Sequence, residues 1–133
     1  MSQKRVYSLK EAQTGELHGG AGTFRVLIDK DMGGAKHLSF LVNTSKAGAT
    51  GKPHKHDVEH VWYVLSGSGT IFFEDDEEGQ RMEPNCAVYT PANTIHHHRV
   101  DPAQDMTYIV VYAPPGPEQQ LKAKGTQAFE DTK

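Results

Sequence analysis

Short strand-length runs, cut apart by glycine and proline, dominate this chain. The runs are TFRVLID, HLSFLVN, HVWYVLSG, TIFFED, CAVYTP and MTYIVVYAP, none longer than nine residues. They are rich in Val, Ile, Phe, Tyr and Thr, side chains that suit a pleated, half-buried surface. Runs of this length fit strands and are short for helices. Thirteen glycines and seven prolines supply the turns between them. Many short strands with frequent turns point to an all-β sandwich or barrel. At 133 residues, a single domain with its own core is expected.

The turns give a provisional layout. SGSG at Ser66–Gly69 is expected to join two antiparallel strands, and EDDEEGQ from Glu74 to form a longer hairpin loop. Gly33–Gly34 separates the strand around Val26 from the one around Leu38. Helical features are few. Ser8–Glu16 has room for one turn, and PEQQLKAK at Pro117–Lys124 places proline at a first helical position. PPGP at Pro114–Pro117 marks the end of the barrel. The expected organisation is an N-terminal arm (1–20), one β-barrel domain (21–116) and a polar C-terminal segment (117–133).

Charge and composition narrow the partners. The formal net charge is −3, and no basic stripe is visible, so nucleic-acid binding is not expected. The densest charge run, EDDEEG, is acidic and reads as a solvated turn. Cys86 is the only cysteine, which leaves no internal disulfide; its position before a strand suits a small buried residue. The N-terminus lacks an apolar leader core, and no apolar run approaches a membrane span. A reducing cytoplasm is the expected compartment.

Against this background, KPHKHDVEHVWYVLSG stands out, with His54, His56 and His60 within seven residues. On a strand, residues two apart share a face, roughly 6.6 Å apart along the backbone. His54 and His56 therefore project together. DVE then makes a tight connection, and His60 opens the next strand, expected to lie antiparallel and adjacent. Trp62 and Val64 continue on the face of His60. A second cluster, His96, His97 and His98, follows the turn around Pro91 and Asn93. Alternation puts His96 and His98 on one face and His97 on the other, toward solvent or a partner subunit. Isolated histidines are usually surface or core filler. Four imidazoles at strand-compatible spacing, each group beside a turn, instead suggest convergence on a metal ion.

These residues resemble the cupin superfamily of small β-barrels. The first cupin motif is matched by Gly48, then ATGKP, His54-Lys55-His56, DVE, His60, VWYVLS and Gly67, with His60 where the family has a glutamate. The second is followed more loosely by Asn85, CAVYT, Pro91-Ala92-Asn93, TI, His96, HHR and Val100. Here both motif glycines are asparagines, the residue that best tolerates a left-handed turn, and the final asparagine is valine. The resemblance covers about Gly48–Val100. It implies a jelly-roll-like double-stranded β-helix, with a short C-terminal helix added. It also implies metal ligands at His54, His56, His60 and His96. Glu59 is the fallback for His60, although a shift by one residue turns a side chain to the opposite face.

Four neutral imidazoles leave the charge of a divalent ion uncompensated and make it a strong Lewis acid. One divalent transition metal per chain is expected, chosen among Fe, Mn, Zn, Ni and Cu. Trp62, Phe73, Tyr89, Ile95 and Val100 are candidates for the apolar pocket wall. His98 is the candidate general base or hydrogen-bond donor. Two functions follow. One is a metal-dependent enzyme on a small organic substrate, either a dioxygenase or a non-redox isomerase, cyclase or lyase. The alternative is a non-catalytic metal- or small-molecule-binding module. Cupin-like barrels often pair, and TFRVLID at a sheet edge would invite pairing, so a homodimer is expected.

Overall fold

The alternation along the runs becomes two antiparallel sheets in the computed structural model, which describes residues 3–125. After a 3-10 turn at Leu9–Glu11 come β1 (Gln13–Leu17), β2 (Gly22–Ile28), β3 (Ser39–Ser45), β4 (His60–Ser66) and β5 (Gly69–Phe73). They are followed by β6 (Asp76–Met82), β7 (Ala87–Thr90), β8 (His96–Val100), β9 (Met106–Tyr112) and one helix, α1 (Pro117–Lys124). Six strands form one sheet in the order β1-β2-β3-β9-β4-β7, and three form the other in the order β6-β5-β8. The fold is all-β with one short C-terminal helix.

Period-two burial shows which face meets the core. On β4, His60, Trp62 and Val64 are buried, while Val61, Tyr63 and Leu65 are exposed. On β9, Met106, Tyr108, Val110 and Tyr112 point inward; on β3, Leu41 and Asn43 do the same. Phe24, Val26, Ile71, Met82 and Val100 complete the core from both sheets. Each apolar side chain so buried contributes about 1.5–3 kcal/mol.

Several turns differ from the sequence expectation. SGSG does not close a hairpin, because β4 pairs with β7 and β9 and β5 pairs with β6 and β8. It carries the chain from one sheet to the other. Gly67 makes that crossing at φ +78°, with its α-carbon so close to the Asp105–Met106 backbone that a Cβ would lie 2.2 Å from the Asp105 carbonyl oxygen. The acidic loop is shorter than expected. Phe73 opposes Asp76, so Glu74–Asp75 is the whole turn and DEEGQRM is strand β6. TFRVLID is not an edge strand, since β2 lies between β1 and β3. The edge is β1, QTGEL, whose polar sequence buries only Leu17 and so gave no apolar alternation to read. Within Ser8–Glu16 the helical part is just the 3-10 turn; β1 begins at Gln13. The expected α1 forms at Pro117–Lys124, while residues 126–133 of the polar segment lie outside the described residues.

Helix α1 is fastened to the barrel by polar groups. Glu118, 1% exposed, accepts hydrogen bonds from Ser39 Oγ (2.7 Å) and the Gly116 amide (2.8 Å). Asp29, fully buried, pairs with Lys122 and accepts a hydrogen bond from Gln119 Nε2 (3.0 Å). Between these anchors Leu121 packs into the core.

Candidate metal centre

The segment before β4 does not form a hairpin with it. Residues 49–54 run antiparallel along β8: the Val100 amide donates to the Ala49 carbonyl (2.9 Å) and the Gly51 amide to the His98 carbonyl (3.0 Å). His54 and His96 exchange both backbone hydrogen bonds, 3.0 and 2.9 Å. The HKH segment therefore extends the smaller sheet, and DVE crosses to the larger sheet where β4 begins. Alternation gave the facing of these residues correctly but could not name their strand partners. His60 faces His54, His56 and His96 across the barrel instead of standing beside them.

The imidazoles converge from the two sheets. Ring centroids are 4.6 Å apart for His54–His96, 5.1 Å for His54–His56, and 5.1 Å from His60 to both His56 and His96. One ligand atom each from His54, His56 and His96 lies within 4.8 Å of the others. His60 stands just outside that tightest trio. Glu59 is exposed, and His60 is 2% exposed.

The hydrogen bonds prepare two of these rings as ligands. His96 Nδ1 lies 2.9 Å from the Thr94 carbonyl, and His54 Nδ1 lies 3.0 Å from the Lys52 carbonyl. A carbonyl only accepts, so Nδ1 carries the proton in each ring and Nε2 keeps its lone pair. His96 Nε2 and both ring nitrogens of His60 are buried with no hydrogen-bond partner. Buried polar atoms of this kind require an explanation, and a cation held by neutral imidazoles supplies one. The donor set therefore fits a transition metal.

Electrostatics agree. Burial, then repulsion by His54, pushes His96 down to about 3 against a smaller raising effect of its Thr94 hydrogen bond. Burial, reinforced by the other rings, also holds His56 and His60 well below the ordinary imidazole value. His56, His60 and His96 are thereby kept neutral at physiological pH, as metal ligation requires.

The surrounding pocket is a cavity of about 30 Å³ lined by both polar and apolar side chains. Its lining combines His18, His54, His56, His60 and His98 with Leu17, Val110 and Leu121 and with the rings of Trp62, Tyr108 and Tyr112. Trp62 is among the residues lining this cavity. His98 is buried edge-on to Trp62 (5.1 Å), and its Nε2 lies 3.1 Å from Ser45 Oγ, which lies 2.9 Å from Tyr108 OH. Burial pushes the His98 imidazole down to about 3, and pushes the Tyr108 phenol up to about 12 although Ser45 and Asn43 act in the opposite direction.

Other wall candidates lie elsewhere. Tyr89 is 56% exposed, because it opposes outward-facing Val61; its neighbour Thr90, opposite His60, points inward. Val100 is buried but belongs to the core beside Gly69. Phe73 and Ile95 line a separate outer cleft with Phe72, His97 and Arg99. His97 faces away from the cluster, as alternation requires, and stacks on Phe72 at 4.7 Å. Cys86 is a free, half-buried thiol. The sequence reading missed His18, Asn43, Tyr108 and Tyr112. Inward alternation along MTYIVVY and SFLVNTS marks the last three; His18 lies in a glycine-rich turn with no periodicity to follow.

Fold and site together define a two-sheeted β-barrel closed over a buried histidine cluster. The cupin domain family matches residues 41–112, more than half of the chain, and the chain belongs to that family. It is similar to the polyketide cyclase RemF from Streptomyces resistomycificus, with TM-score 0.74, 26% identity, and coverage of 87% of this chain and 82% of that one. It also resembles KdgF from Halomonas sp., with TM-score 0.72, 19% identity, and coverage of 88% and 99%. Auxin-binding protein 1 of Arabidopsis thaliana is 25% identical over 89 residues, 62% of this chain; the match spans only 45% of that relative's length. Among the described residues no helix is long and apolar enough to cross a membrane.

Proposed function

We propose that this cupin is a metal-dependent enzyme acting on a small organic substrate, with one divalent transition metal held by His54, His56, His60 and His96. The reading rests on the partnerless buried nitrogens of His60 and His96 within a cluster of four rings. When bound, the ion supplies a Lewis acid that polarises an oxygen of the substrate. Thr94 and Lys52 carbonyls orient two ligand rings. Trp62, Leu17, Val110 and Leu121 exclude water from the apolar side of the substrate. His98, linked through Ser45 to Tyr108, offers a hydrogen-bonded chain at the pocket wall.

Between the two reaction types, the non-redox one is favoured. The likeness to a polyketide cyclase at 26% identity supports it, as does the proton-bearing wall. The protein is proposed to work as a homodimer in a reducing cytoplasm.

Elemental analysis of purified protein tests the site. One transition-metal ion per chain is expected, with His54→Ala and His60→Ala each losing most of it. Full metal retention in both variants would refute the assignment. Conversion of a candidate enol or β-dicarbonyl substrate without dioxygen uptake supports the non-redox reading; metal-dependent uptake with turnover establishes the dioxygenase instead. A sealed four-coordinate metal that admits no external ligand would identify a non-catalytic binding module.

A further inference from the structure

His18 occupies the turn between β1 and β2, where Leu17 opposes Gly22. It is a non-glycine residue at φ +47°, a backbone region that costs an ordinary side chain about 1–2 kcal/mol. The surrounding LHGGAG sequence offers glycines that would occupy such a position without cost. The conformation carries the ring to the pocket, where its centroid lies 5.7 Å from that of His54 and 6.1 Å from that of His98.

The opposite wall makes room for it. Gly51 lies outside the left-handed region, so its backbone conformation does not call for glycine. A Cβ at Gly51 would instead lie 2.9, 3.1 and 3.3 Å from Nε2, Cε1 and Cδ2 of His18. The glycine is a seat for the imidazole. Gly51 is itself fixed to β8 through the His98 carbonyl, three residues before His54. A strained turn and a bare α-carbon therefore combine to hold one polar ring beside the metal cluster, on a pocket wall where Leu17 and Leu121 supply the apolar contacts.

We propose that His18 is a ligand-contacting residue of this pocket, giving a hydrogen bond to an anionic oxygen or nitrogen atom of a small molecule that binds at the histidine cluster. This rests on the metal-site reading above and adds the substrate class: a small anion or enolate-like molecule, with its charged atom toward His18 and its apolar part toward Leu17 and Leu121. His18 is not a metal ligand in this scheme.

Azide binding to copper(II)-loaded protein, followed by charge-transfer absorption, tests the role without a known substrate. A hydrogen bond to a charged group contributes about 1.5–3 kcal/mol, so His18→Ala should weaken azide binding by about tenfold or more. Its copper content and cooperative melting should be retained. His18→Gln, which keeps a donor, should recover most of the affinity. Gly51→Ala, which displaces the ring without touching it chemically, should reproduce the loss. Unchanged azide affinity in folded, copper-loaded His18→Ala and Gly51→Ala overturns the proposal. Loss of copper in His18→Ala also overturns it, by making His18 a ligand. A wild-type protein that takes up no copper, zinc or iron rejects the metal site itself, and the His18 role falls with it.

Discussion

Burying imidazoles beside one another makes the stability of the metal-free chain depend on pH. In the folded, metal-free chain His96 and His98 are held down to about 3, mainly by burial, and His56 and His60 also lie well below their ordinary value. In the unfolded chain each titrates near 6.5. Below that pH the unfolded state binds more protons, so stability is full above about 6.5 and falls as pH drops toward 3. Each such group contributes up to about 1.4 kcal/mol per pH unit. Chelator-stripped protein should therefore melt at progressively lower temperature between pH 7 and pH 4.5, and added metal at pH 7 should raise the melting temperature. A melting temperature of stripped protein that stays flat across this range would show that the rings are not buried neutral. At this scale the sequence was most legible. Spacing put His54, His56, His60 and His96 on inward faces, and Asn85 (φ +70°) and Asn93 (φ +60°) adopt the left-handed turns expected of residues replacing glycine. His18 was hidden because its position depends on how a glycine-rich turn folds, and Tyr89 was misplaced because Thr90 takes the inward position.

Among the elements, α1 shows how a weakly amphipathic helix is held by a few specific groups. Only Pro117, Glu118 and Leu121 of its eight residues are buried. The Asp29 carboxyl is raised by burial, but hydrogen bonds from Lys122, Met32, Gln119 and Asp31 outweigh this and hold it below its usual value. Lys122→Met keeps the aliphatic stem and removes the charge partner. Breaking a buried pair typically costs about 3–5 kcal/mol; Lys122 is partly exposed, so a smaller loss is expected. The loss should be local. Amide exchange at Leu121–Gly125 should accelerate by about tenfold or more, equivalent to ~1.4 kcal/mol of local opening, while β3 and β9 amides stay protected. Uniform acceleration would show instead that α1 and the barrel unfold as one unit. The helix was legible from Pro117 and its polar sequence, but its anchors were not. Asp29 and Lys122 are 93 residues apart, and no local pattern connects them. The same limit explains the hairpin that was expected from KPHKHDVEH. Periodicity fixes a facing, whereas sheet partners depend on closing the whole barrel.

For the whole molecule, the outer face of the larger sheet is the surface on which the proposed homodimer would pair. Pairing aligns Tyr89, Val61, Val111 and Phe40 in one row across β7, β4, β9 and β3, and Ala87, Tyr63, Ile109 and Val42 in the next. Val61, Tyr63, Leu65 and Tyr89 are 41, 39, 46 and 56% exposed. With strands about 4.8 Å apart and rows about 6.7 Å apart, the rows and Leu65 cover on the order of 300 Å². A patch of about 300 Å² is the size at which the largest apolar patch of a protein is often functional, and it suits the centre of an interface whose polar rim supplies the rest of about 800 Å² per partner. A second copy brings the same two rows, so a two-fold axis through the patch covers both sheets at once. Light scattering on eluting protein should give the dimer mass, and Val61→Asp with Tyr89→Glu should give the monomer mass. Along β4 these outward residues alternate with inward His60 and Trp62. The doubly substituted monomer should therefore keep its metal, since the charges are added on the far side of the strand. A wild-type chain that elutes only as monomer removes the dimer. A dimer unaffected by the double substitution moves the interface away from this face.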